Sequence, residues 1–160
     1  MISVEDYLFF VDEALDAMIT MVEELGDVSA NLRPDVEGAN TPFVVLTHCL
    51  GVMEYWGGHA VAGRNIDRDR AAEFRASGSV ADLVTRARRA RAQLAEDISA
   101  VEPFAPPRLE VTTDVSHAPH ARTQGGALIH LYEELAQHCG QMEVSRDVIL
   151  APWARLVSQV

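Results

Sequence analysis

The sequence has no lysine; all 13 of its basic residues are arginine, and 24 carboxylates outnumber them to give a formal net charge of -11. That balance argues against a nucleic-acid partner, because such surfaces neutralise phosphates with clustered Lys and Arg. Cysteine is scarce. Cys49 and Cys139 form no CxxC motif, and two are too few for a disulfide scaffold. Two small thiols in a core is the ordinary reading, and an extra ligand or redox pair is the other. No apolar run approaches the roughly 18 residues of a membrane span. The N-terminus has no basic stretch leading into an apolar one; it opens with Ser3-Val-Glu-Asp6, a helix-start signal. The expectation is a soluble cytoplasmic protein without a membrane partner. Sustained strand alternation, internal repeats and low-complexity tracts are missing as well.

What is present is helical periodicity. The length fits one domain, residues 1–160, with enough apolar content for a core. A first helix is expected from about Val4 to Leu25, with Gly26 as its stop and Leu8, Val11, Leu15, Met18, Val22 and Leu25 as its seam. A second opens at Thr41-Pro42, a cap followed by proline in the first turn, and runs to about Ala62 before Gly63. A third opens at Ser79 and ends before Pro103, with Leu83, Ala87, Ala90, Leu94, Ile98 and Val101 on one face. A fourth runs from about Gly125 to Leu150 and stops before Pro152. Between them lie a possible short helix, 69–75, and a strand-like piece, 109–113. The pattern predicts an all-α four-helix bundle, and the connector after the second helix is long enough for a crossover.

The chemistry concentrates in three residues. Glu134 and His138 are four apart on the fourth helix, so they stand one turn above each other on one face. His138 takes a seam position where Leu is ordinary, and Glu134 borders it; a carboxylate facing a core is costly unless paired or metal-bound. His48 stands on the second helix in the stripe of Val44, Val52 and Tyr55. Two histidines and one glutamate leave a coordination position open, the pattern of catalytic zinc. The plain alternatives are a surface Glu–His pair and hydrogen-bonded core histidines. His59 is eleven residues beyond His48, about 16 Å along a helix axis, too far to share an ion. His130, eight residues before His138 and about 12 Å away, is at best a supporting group. His117 and His120 fall in a proline-rich loop.

These stretches resemble a known family. Asn40-Thr-Pro-Phe-Val-Val-Leu-Thr-His48 with Tyr55-Trp56, Gly63-Arg64, Arg68-Asp-Arg-Ala-Ala-Glu-Phe74, and Gly126 through His138-Cys-Gly-Gln141 followed by Arg146 are similar to the DinB/YfiT-like metal-binding bundles. Within them the mycothiol-dependent branch is nearest, since its middle ligand is Glu where many members have a third His. The resemblance spans nearly the whole chain. It implies an up-down-down-up bundle, a homodimer, and a divalent metal on His48, Glu134 and His138, zinc first and nickel second. The maleylpyruvate isomerases of this branch carry a second C-terminal domain, whereas this sequence runs only to Val160; S-transfer from a mycothiol-type thiol to small electrophiles is therefore the expected activity. Tyr55, Trp56 and His59 are candidates to line the pocket. Arg68 and Arg70 are expected either to contact an anionic cosubstrate or to pair with Glu73 or a neighbour. A metal-dependent hydrolase on the same site, or a non-catalytic metal-binding dimer, are the rival readings.

Overall fold

The computed structural model describes residues 2–111 and 122–157, with side chains as far as residue 151. The described part is helical: α1 (Val4–Ala30), α2 (Pro42–Met53), a π-helical continuation (Glu54–Val61), α3 (Arg70–Glu73), α4 (Val80–Asp97) and α5 (Gln124–Val157). No helix among these residues is long and apolar enough to cross a membrane.

Each start is written locally. Ser3 and Asp6 form a reciprocal capping box, with Asp6 N donating to Ser3 Oγ at 3.0 Å and Ser3 N to Asp6 Oδ2 at 3.3 Å. Thr41 Oγ1 accepts from Val44 N at 3.1 Å with Pro42 in the first turn, and Ser79 Oγ accepts from Asp82 N at 3.4 Å. Such caps satisfy amides that have no partner inside the helix.

Gly26 (φ 65°, ψ 176°) breaks α1 where the sequence places its end, and one more helical turn follows to Ala30. The seam of α1 is buried at Val11, Leu15, Met18, Val22 and Leu25; at its start Leu8 is half-buried against the core and Tyr7 is buried beside it. Every residue of α2 is buried, so it is the central helix rather than a half-solvated stripe. It packs on α1, α4 and α5, while among the described elements α3 packs on α2 alone.

Other boundaries depart from expectation: α4 ends at Asp97, so Ile98 and Val101 lie beyond the helix. α5 passes Pro152 and is described as far as Val157, since a proline removes one helical donor without always ending the helix. Residues 109–111 form no strand, and 112–113 lie outside the described residues. The end of the second helix widens into the π segment, where Ala62 N reaches back five residues to Gly57 O at 2.9 Å. Gly57 gives Leu94 of α4 room there, because a Cβ would collide with Leu94 Cδ1.

Candidate metal centre

The packing of α2 against α5 brings His48, Glu134 and His138 together, with one potential ligand atom from each lying within 4.8 Å of the others. Both imidazoles direct Nε2 at the same carboxylate oxygen: Glu134 Oε2 is 3.2 Å from His48 and 3.5 Å from His138. The two rings stand edge to face, 5.1 Å between centroids. His48 is buried, while the Glu134 and His138 side chains are about a quarter exposed, so the cluster is reached from the α5 side.

The opposite nitrogens decide what this arrangement can hold. His48 Nδ1 lies 2.8 Å from Glu73 Oε2, and His138 Nδ1 lies 2.7 Å from Gln141 Oε1. Each acceptor calls for a proton on Nδ1 and leaves the Nε2 lone pair facing Glu134. Arg68 Nη2 is 3.3 Å from His48 Nδ1, but this guanidinium already donates to Glu73 Oε1 through Nε (2.7 Å) and to Oε2 through Nη2 (2.9 Å). Two lone pairs and a carboxylate facing one point need a positive charge between them. A divalent cation fits that donor set, and among the described residues no arginine pairs with Glu134.

With no cation between them, a proton on Nε2 takes its place. Hydrogen bonds from His138 and then His48 hold Glu134 far below the usual carboxylate range, against the opposing effect of burial. Burial is the largest influence on His48 and works against its charged form, yet the hydrogen bonds with Glu134 and Glu73 prevail and its pKa is raised. Burial likewise opposes ionisation of Glu73, but His48 and Arg68 outweigh it and hold the group ionised at lower pH. Without metal, His48 therefore holds its proton to higher pH than a free imidazole, beside an ionised Glu134.

The other sequence candidates are placed as follows. Tyr55 and Trp56 are buried. Tyr55 stacks on His59 at 5.0 Å, and His59 Nε2 donates to Glu110 O at 2.9 Å, so His59 belongs to the far end of the π segment. Trp56 meets His130 edge to face at 4.9 Å, and His130 Nε2 lies 3.9 Å from Glu134 Oε1. Arg68 takes the expected pairing with Glu73, and Arg70 lies over the Phe74 ring at 4.9 Å. Phe74 in turn packs on His48, 5.0 Å between ring centroids. Cys49 and Cys139 are free thiols; burial raises both pKa values, and neither joins the cluster. His117 and His120 lie outside the described residues.

Sequence reasoning missed the two acceptors behind the imidazoles. Gln141 sits one turn after His138, a spacing that could have identified it. Glu73 is 25 positions from His48, and the sequence offered it only as a partner for Arg68 or Arg70. A cavity of about 340 Å³ lies behind this pairing, lined in part by Thr47, Gly51, Glu54, Arg68, Glu73 and Arg86 and by none of the three clustered residues.

The family model for mycothiol-S-transferase matches residues 7–151 of the chain. No curated protein and no solved structure matches it.

Proposed function

The chain belongs to the mycothiol-S-transferase family, and on that premise we propose that it is a divalent-metal-dependent enzyme moving a mycothiol-type thiol onto small electrophiles. One observation carries the reading: His48 and His138 both have Nδ1 engaged by an acceptor while both Nε2 atoms face Glu134. In this proposal those three residues hold the ion, most simply zinc, and leave a position for the thiol. The bound cation would supply the positive charge that lowers a ligating thiol's pKa, so that thiolate is available at neutral pH.

The remaining work falls to the chain's own groups. Glu134 stays ionised at neutral pH and balances part of the ion's charge. Glu73 and Gln141 fix the imidazole tautomers and ring planes. His130, backed by Trp56, borders the second oxygen of Glu134 and limits its rotation. Phe74 covers one side of His48 and excludes water there. Cys49 does not compete as nucleophile, because burial keeps it a thiol; the reacting sulfur comes from the cosubstrate.

For the scaffold we propose a single domain in which α1, the α2–π segment, α4 and α5 form an up-down-down-up bundle. The contacts of α1 with both α4 and α5 and the long connector between the second and third long helices support that topology.

The test is consumption of a small electrophile by the zinc-loaded protein with mycothiol, with glutathione or with no thiol. Turnover should require metal and thiol together and disappear in His138→Ala. Glutathione should work poorly if the pocket recognises the sugar portion of mycothiol. Ester or amide cleavage that needs metal but no thiol would replace this reading with a hydrolase.

A further inference from the structure

We propose that Glu73, gripped by Arg68 and admitted by the bare Gly51, is a positioning residue for His48, and that through it α3 and its connector set the metal affinity of the centre. This rests on reading His48, Glu134 and His138 as the ligands.

α3 is a single turn, too short to hold itself in water, and among the described elements it packs on α2 alone. Asp69 caps it by accepting from Ala72 N at 2.8 Å. Its tie to the core is Glu73, a carboxylate only 7% exposed. A carboxylate buried that far needs its acceptor sites filled. Here Arg68 fills them as a two-pronged fork, at 2.7 and 2.9 Å, and His48 Nδ1 supplies the third contact at 2.8 Å.

Gly51 explains how the carboxylate reaches the imidazole. It stands three residues after His48, on the same face of α2. A Cβ there would collide with Glu73 Oε1 and lie 2.7 Å from the carboxyl carbon. Every other residue of α2 carries a side chain along its buried length, and a glycine inside a helix costs stability. The bare position is what lets Glu73 come within hydrogen-bond distance of the ring.

Two consequences follow. The carboxylate fixes the ring plane of His48 and strengthens Nε2 as a donor to metal. Because binding free energies are reciprocal, whatever an ordered α3 adds to metal affinity, the metal returns as order in α3.

The experiment uses the full chain and Zn2+ as probe, with affinity measured by competition against a chromogenic chelator and helix content by circular dichroism. Glu73→Ala should weaken Zn2+ binding by roughly 10- to 100-fold while keeping helix content. Glu73→Gln should lose less, because its amide oxygen still accepts from Nδ1. Gly51→Ala should weaken binding by displacing Glu73, and the Gly51→Ala/Glu73→Ala double variant should be no weaker than the worse single one. In the unsubstituted chain, Zn2+ should slow amide hydrogen exchange across 68–76, and in Glu73→Ala it should not. If Glu73→Ala fails to fold, Glu73→Gln, Gly51→Ala and the exchange measurement on the unsubstituted chain still decide. Unchanged affinity in folded Glu73→Ala, independent losses in the double variant, or exchange indifferent to Zn2+ would each overturn the proposal. His138→Ala separates the two readings. Should it keep full affinity, the ligand set itself is wrong; should it lose Zn2+ while Glu73→Ala keeps it, only the positioning role fails.

Discussion

At the scale of single residues, the metal-free centre holds a proton on His48 beside an ionised Glu134, and pH should reveal it. His48 has a raised pKa, above the ordinary 6.5. The stability it contributes is therefore complete below about pH 6.5 and is lost as pH rises through the raised value. Glu73 and Glu134 shift the other way, so what they contribute is present above the ordinary value of 4.5 and is lost only as pH falls through their depressed values. Chelator-treated protein should accordingly melt lower at about pH 8 than at about pH 6, with the slope flattened in His48→Gln. Metal affinity should rise over the same interval, because binding expels the proton. A metal-free melting profile that is flat or rising there would contradict the assignment. A second residue-level expectation concerns Tyr7, whose buried hydroxyl donates to Leu128 O at 2.7 Å and ties α1 to α5. Tyr7→Phe should cost about 0.5–1.5 kcal/mol in a denaturant titration, leaving metal content unchanged.

At the scale of elements, two glycines with no neighbour within 4 Å of an added Cβ should respond with opposite signs. Gly26 interrupts α1 at φ 65° and ψ 176°, a backbone conformation reserved for glycine. Gly26→Ala should lower stability by about 1–3 kcal/mol through backbone strain alone. Gly140 lies inside α5 on its exposed side, also with open space around it. Gly140→Ala should raise stability by about 0.5–1 kcal/mol, because alanine loses less freedom in a helix. Thermal melts of the two variants side by side check both. The π segment is the element the sequence hides, since Glu54–Val61 has the composition of an ordinary helix end. The adjacent Gly57-Gly58 pair is its one local hint, and Gly57 leaves there the room that Leu94 of α4 fills.

At the scale of the molecule, the proposed ligands join the central helix α2 to α5, which also covers α1. A ligand that binds only the folded state stabilises it by mass action, about 2.7 kcal/mol at a hundredfold excess over its dissociation constant. Removing metal from the loaded protein should therefore lower Tm, and returning it should restore Tm. His138→Ala should melt at one temperature with or without metal. An equal response in His138→Ala would place the stabilising ion elsewhere.

The sequence by itself determined what is local. Ser3, Thr41, Asp69 and Ser79 mark helix starts because a cap is made within three residues. Glu134 and His138 share a face because four residues span about one turn. Leu128, Leu131, Leu135, Met142 and Ile149 recur along α5 at helical spacing, and all are buried. The composition of α2 did not disclose that it is enclosed on every side, because that depends on how many neighbours close around it. Nor could spacing reveal that Glu73 stands behind His48. That contact joins residues 25 apart, through a one-turn helix whose place is set by an arginine fork and by the missing side chain of Gly51. Helix periodicity carries information over a few turns, and packing decides which distant turns meet. The donor set was visible as residue types before folding, but the partners that orient its imidazoles are products of the tertiary structure.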